Sequence, residues 1–135
     1  MLDDKRKDLS EYRMNDALST LQTSKLLYEN SSYKDSINRC YYAAFYAIKA
    51  VLSLEGVDFK RHKEAVGYFN QKYVATGIFS REIGKRLGRL KRVRETSDYD
   101  DFYIASKSEA EEQLESAQLI IEAIKKYLDN NWNIK

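Results

Sequence analysis

The sequence predicts an all-α protein, an up-and-down helical bundle of about five helices. Three observations carry that prediction. The 135 residues include no proline and only 5 glycines, too few turn residues for an all-β or α/β chain but enough for helices joined by short connections. Apolar residues recur at spacings of three and four, the signature of amphipathic helices. No stretch alternates apolar and polar residues for long enough to compete as a strand. The length suits one domain over residues 1–135, large enough to bury a core without staples, and no internal repeat or linker divides it.

The first helix is expected from about Leu2 to Glu29, with Met14, Ala17, Leu18, Leu21 and Tyr28 facing inward. The second begins near Ser32 and Asp35, buries Ile37, Cys40, Tyr41, Ala44, Ile48, Val51 and Leu52, and ends at Gly56, a natural residue just past a helix C-terminus. A third starts near Arg61, buries Val66, Phe69 and Tyr73, and stops near Gly77. A fourth follows Ser80 and carries Ile83, Leu87, Leu90 and Val93 along one side. The fifth is the most legible. Ala110, Leu114, Ala117, Ile121, Ile124 and Leu128 form one apolar stripe, and Ser106 with Glu109 three residues later reads as a capping box. The first, second and fifth helices are expected to enclose the core, with the third and fourth packed across one side.

Composition excludes several classes. Hydrophobic residues make up 43% and charged residues 33%, which fits a globular rather than a disordered chain. No apolar run approaches the roughly 18 residues of a membrane-spanning helix, so no membrane partner is expected. The first ten residues, MLDDKRKDLS, hold no apolar signal region, and a cytoplasmic location is the default expectation. The single cysteine, Cys40, excludes an internal disulfide and any multi-cysteine zinc site. The single histidine, His62, excludes a His-rich metal site. No metal or cofactor is expected. The 11 tyrosines are the oddity.

Charge is unevenly placed. Residues 60–94 carry 11 basic and 2 acidic side chains, whereas residues 1–59 are net −1 and residues 95–135 are net −6. Arg81, Lys85, Arg89 and Arg92 fall on one face of the fourth helix, opposite Ile83, Leu87 and Leu90. Like charges at that spacing repel by roughly a few tenths of a kcal/mol per pair, so something should offset them. Three readings are open: a solvated face paired with the acidic fifth helix, a phosphate-binding surface for RNA or a nucleotide, or a surface for an acidic protein.

Three stretches in order carry a resemblance. Residues 36–56 read SINRCYYAAFYAIKAVLSLEG, with Arg39, Tyr41, Tyr42, Ala43 and Phe45 close together. Residues 61–77 read RHKEAVGYFNQKYVATG, with His62, Lys63 and Phe69. Residues 87–102 read LGRLKRVRETSDYDDF, with Arg94 followed by Asp98 and Tyr99. Together they resemble the small stand-alone HEPN-domain proteins of prokaryotes, over about residues 10 to 128. The resemblance implies a HEPN-like bundle that forms a homodimer, and pairing with a nucleotidyltransferase as a toxin–antitoxin couple. It also implies metal-independent ribonuclease activity from an Arg, four to six intervening residues and a His, with two such sites meeting across the dimer. In some pairs the partner adds AMP to a tyrosine near that His. Arg94 matches the arginine here. Tyr99, Asp100 and Asp101 stand at the three positions where the His would fall.

Residue by residue, Arg94, Asp98 and Tyr99 form the candidate catalytic cluster. They are either a phosphate site with Asp98 orienting Arg94, or an ion pair that caps the turn with Tyr99 packed below. Arg39, Arg81, Lys85, Arg89 and Arg92 are candidates for binding phosphate. Arg39 sits among apolar neighbours and should be paired, with Asp98 or Asp101 as partner. Tyr41 with Phe45 and Tyr42 with Tyr46 point to different sides of the second helix. One pair is expected in the core and the other at an interface. Tyr99 and Tyr103 are candidate acceptors of a nucleotidyl group. His62 reads as a cap or surface residue, and Cys40 as a small core residue. The function expected is that of a HEPN protein in a toxin–antitoxin-like pair, with ribonuclease activity in question because the histidine is replaced. The alternatives are a non-catalytic RNA- or nucleotide-binding module, or a protein-interaction adaptor.

Overall fold

The computed structural model describes residues 4–132. Its helices are α1 (Asp4–Glu29), α2 (Tyr33–Glu55), α3 (His62–Phe69), α4 (Arg81–Tyr99) and α5 (Lys107–Trp132), with a π-helical turn, Asn70–Val74, continuing α3. There is no strand among the described residues. The all-α expectation holds. The expected start at Leu2 lies outside the described residues.

Cross-helix hydrogen bonds give the directions. Near the first turn Ser36 Oγ donates to the Ser24 carbonyl at 2.8 Å, and at the far end Ser10 Oγ donates to the Ala50 carbonyl at 2.8 Å, so α1 and α2 are antiparallel. Tyr28 Oη reaches Glu111 at 3.3 Å and Trp132 Nε1 reaches Ser10 Oγ at 3.0 Å, so α5 runs antiparallel to α1. Arg86 bonds Ser116 Oγ at 3.0 Å and Arg89 pairs with Glu112, so α4 is antiparallel to α5. The four long helices alternate up and down. α4 is therefore a full member of the bundle, and only α3 with its π-turn is a short element on its side.

α2 is the hub. Ile37, Cys40, Tyr41, Ala43, Ala44, Ala47, Ile48, Ala50, Val51 and Leu52 are all fully enclosed, because α1, α4 and α5 each pack on it. On α1 the buried line is Ser10, Met14, Ala17, Leu21 and Ser24. Leu18, expected inward, is 37% exposed. Small serines occupy the ends of the contact stripe, where they let α1 approach α2 closely and donate hydroxyls to backbone carbonyls. Apolar periodicity alone cannot reveal that choice.

The helix ends follow local chemistry. Glu109 N–H donates to Ser106 Oγ at 3.0 Å, and Ser106 N–H reaches back to Glu109 Oε1 at 3.4 Å, the expected capping box. α2 ends in a Schellman arrangement: Gly56 N–H bonds Ser53 O at 3.1 Å and Val57 N–H bonds Leu52 O at 3.2 Å. Gly56 has φ +77°, a left-handed conformation that costs a side-chain-bearing residue about 1–2 kcal/mol. At the start of α2, by contrast, Ser32 makes no side-chain cap bond.

Candidate functional site

The line of buried residues on α4 is Ile83, Leu87, Leu90, Arg94 and Ser97. Val93, expected on it, lies one residue off and is only half-buried. The apolar face of the helix thus runs directly into Arg94, which is about nine-tenths buried. Its guanidinium carbon stands 4.6 Å from the centre of the Tyr41 ring and 5.6 Å from that of Tyr42. Its polar partner among the described residues is Asp98, from Nη1 at 3.4 Å, and its Nε is buried without a hydrogen-bond partner. Burial opposes the charge on Arg94, but Tyr42, Tyr41 and Asp98 outweigh it and hold the pKa above the ordinary arginine value. A buried cation with an unused donor suits an incoming anion, since charge-assisted bonds are the strong ones.

Around this arginine α2 supplies a polar rim. Asn38 Nδ2 donates to Asp98 at 3.2 Å, and its Oδ1 accepts from Arg39 Nε at 3.0 Å and Nη2 at 2.7 Å. Arg39 lies 4.8 Å from the Tyr42 ring centre. The expected direct pairing of Arg39 with Asp98 or Asp101 is replaced by a relay through Asn38. That amide offers one acceptor and one donor between a cation and a carboxylate. Tyr42 thus has both Arg39 and Arg94 against its ring.

His62 is more than the cap or surface residue expected of it. As the first residue of α3 it stacks on Phe45, with ring centres 4.0 Å apart, and lies 6.0 Å from Tyr41 and 5.6 Å from Tyr42. Its Nδ1 is 3.4 Å from Tyr41 Oη. Burial, followed by Arg94, Lys49 and Lys91, lowers its pKa below the ordinary histidine value. Burial pushes Tyr41 up to about 12, with Arg94 working against the rise, so its hydroxyl stays protonated at neutral pH. The signal available in the sequence is the position of His62 at the start of a helix that must pack on the aromatic run of α2.

Other predicted residues lie elsewhere. At 100° per residue, Arg81, Lys85, Arg89 and Arg92 point to the side of α4 opposite Arg94; all four are exposed. Arg89 pairs with Glu112 on α5, the pairing expected of a face set against the acidic helix. Arg89, Arg92, Val93, Thr96, Tyr103 and Glu109 line a hollow of about 340 Å³. Tyr99, five residues beyond Arg94, points roughly 140° away from it and is 78% exposed. The structure joins Arg94 to Asp98 but does not bring Tyr99 to them. Tyr103 Oη donates to Glu109 at 2.7 Å; burial and that carboxylate raise its pKa. Tyr41 and Phe45 are the core pair of the aromatic run, whereas Tyr42 and Tyr46 are half-buried. Cys40 is a buried core thiol, as expected. A hollow of about 530 Å³ between the start of α4 and α5 shares no residue with the Arg94 site. No described helix is long and apolar enough to cross a membrane.

Comparison with known proteins places the chain in a family. A "UPF0332 protein" of Thermotoga maritima is 30% identical over 125 residues, covering 93% of this chain and 95% of the relative. A protein of Methanocaldococcus jannaschii named "Putative toxin MJ0142" is 30% identical over 112 residues, covering 83% of this chain and 76% of the relative. A "UPF0332 protein" of Archaeoglobus fulgidus is 29% identical over 124 residues, covering 92% and 98%. The family model described as HEPN domain matches residues 10–127, almost the span over which the motifs carry the resemblance, and the chain belongs to the HEPN domain family.

Proposed function

We propose that this chain is a toxin-like HEPN protein that binds RNA backbone phosphate at Arg94 and cleaves RNA without a metal ion. In this reading it acts as a homodimer and is silenced by a nucleotidyltransferase partner. The observation that carries the reading is the enclosed guanidinium of Arg94, with Nε unpartnered and two tyrosine rings against it. Such a group is rigid, permanently charged and short of an acceptor, which is what stabilising a phosphorane-like charge requires. The family and the toxin name of one relative support the biological role. Between the two candidate acceptors of a nucleotidyl group, Tyr99 is favoured. Its ring is exposed, whereas the Tyr103 hydroxyl is bonded to Glu109.

The test is cleavage of labelled RNA in EDTA by wild type and by Arg94→Ala. Cleavage by the wild type that the variant loses supports the reading. Equal cleavage by both, or none by the wild type, overturns it. Silencing is tested by co-expressing a nucleotidyltransferase and locating the modified residue by mass spectrometry. Modification that persists in Tyr99→Phe excludes Tyr99.

A second reading is favoured by the stripe itself. Arg81, Lys85 and Arg92 are exposed, and among the described residues no ion pair is seen for them. A non-catalytic RNA- or nucleotide-binding module would use these groups. It would show salt-dependent binding that survives Arg94→Ala, with no cleavage.

A further inference from the structure

The segment after Arg94 offers no histidine. Tyr99 is a phenol facing away, and Asp98 is engaged by Arg94 and Asn38. The fold supplies another candidate from a different helix. We infer that His62 is the proton acceptor that completes the Arg94 site, taking the place of a histidine in the segment that follows the arginine. This deepens the ribonuclease reading and rests on it.

Arg94 and His62 share two aromatic neighbours. Arg94 lies against Tyr41 and Tyr42 at 4.6 and 5.6 Å, and the imidazole lies against the same two rings at 6.0 and 5.6 Å. Phe45 fixes the plane of the imidazole by stacking at 4.0 Å. Tyr41 Oη, 3.4 Å from Nδ1, fixes its rotation. The pairing allows either direction; the proposed role takes the tautomer in which Nδ1–H donates to Tyr41 Oη and Nε2 carries the lone pair. The ring is half-buried, and no described residue hydrogen-bonds Nε2. The imidazole is faced by Tyr41, Tyr42 and Lys49 from α2 and by Lys91 and Arg94 from α4. Lys49 is itself paired with Asp58, and Lys91 with Glu95 at 3.1 Å. Burial first, and then these cations, lower its pKa, which favours the neutral imidazole that can accept a proton.

In the step so assigned, Nε2 takes the proton of a ribose 2′-hydroxyl as that oxygen attacks the adjacent phosphorus. The 2′-O–P bond forms. The P–O5′ bond breaks with its electron pair on O5′, which takes a proton from water. The products are a 2′,3′-cyclic phosphate and a 5′-hydroxyl, and the imidazolium returns its proton to solvent. Arg94 meets the charge that builds on the non-bridging oxygens.

Because the chain has one histidine, its imidazole can be read alone. The experiment measures RNA cleavage in EDTA across pH for wild type, Arg94→Ala, His62→Gln and His62→Ala. It is joined to NMR titration and tautomer assignment of the wild-type imidazole, with circular dichroism to check folding. Losing a general base costs about 10²–10⁴-fold in rate. Both His62 variants should lose activity on that scale while folded. Free imidazole should restore part of the activity to His62→Ala, and the acidic limb of the wild-type profile should coincide with the NMR titration. A His62 variant that cleaves like wild type while Arg94→Ala is inactive overturns this inference and leaves the ribonuclease reading standing. A wild type that does not cleave overturns both. Loss in both His62 variants that imidazole cannot restore, with no limb at the titration of His62, assigns the residue to packing and overturns the inference. If both His62 variants fail to fold, the limb and the Nδ1–H tautomer in wild type decide alone.

Discussion

Arg94 occupies the place where the apolar face of α4 would next put a leucine, one turn beyond Leu90, and its guanidinium carbon stands 4.6 Å from the centre of the Tyr41 ring. A core position has been given to a charge. Replacing a buried ion pair by apolar residues of similar volume is often neutral or stabilising, and the carboxylate left behind here, Asp98, is exposed and keeps its bond from Asn38, while the cation–π attraction to the tyrosine rings is worth about 1–2 kcal/mol. Arg94→Leu should therefore unfold within about 1 kcal/mol of wild type in a urea titration yet lose phosphate-dependent RNA binding. A large loss of stability would mean that the arginine is kept for packing.

His62 gives a signed pH dependence. Its folded pKa is lowered by burial and by Arg94, Lys49 and Lys91, so the unfolded chain binds the proton more readily. Its contribution to stability is complete above the unfolded value and declines as pH falls through about 6.5 toward the folded pKa. The difference in unfolding free energy between wild type and His62→Gln should shift against wild type on acidification over that window. In Arg94→Leu the imidazole should titrate closer to its ordinary value.

Ser106 and Glu109 cap α5 reciprocally. Ser106→Ala should cost about 1 kcal/mol in chemical denaturation, while Ser106→Asp should restore most of it. Equal stability of the three proteins would show that the α5 start is set by packing alone.

At Gly56 two penalties are separable. A Cβ there would meet the Arg6 guanidinium at 2.6 Å, and φ is +77°. The arginine is the far end of a flexible, exposed chain and can move; the backbone cannot. Gly56→Ala should cost about 1–2 kcal/mol, and the cost should persist in an Arg6→Ala background.

For the stripe, the salt dependence of RNA binding separates paired from unpaired cations. Each phosphate contact to a single strand contributes about 0.7 to the slope of log K against log salt. Lys85→Gln and Arg92→Gln, each made singly, should flatten the slope by more than Arg89→Gln, because Arg89 already faces Glu112.

The bundle is legible in the sequence because helix periodicity and capping are local. The α5 stripe and its Ser106–Glu109 cap follow from neighbours in sequence, and Gly56 announces its own turn. What stays hidden depends on partners distant in the chain. Leu18 cannot be told from its neighbours because Ser10 and Ser24, not apolar residues, end the α1 contact line. The motif points to Arg94 but not to its burial, since a charged residue counts as a surface residue in any pattern. His62 precedes Arg94 by a whole helix, so no local pattern in the sequence brings their side chains together. Only the packing of α3 on the Tyr41–Phe45 segment brings the two to one pair of rings.

The burial of α2 between three neighbouring helices has a consequence for measurement. With α1, α4 and α5 packed on it, the amides of Ala43 to Leu52 have no route to solvent by fraying or by local opening of one neighbour. Their hydrogen exchange should require global unfolding, so the slowest amides of the chain should map to this one helix. A single exchange experiment on them would report the total free energy of the fold, against which every substitution can be ranked.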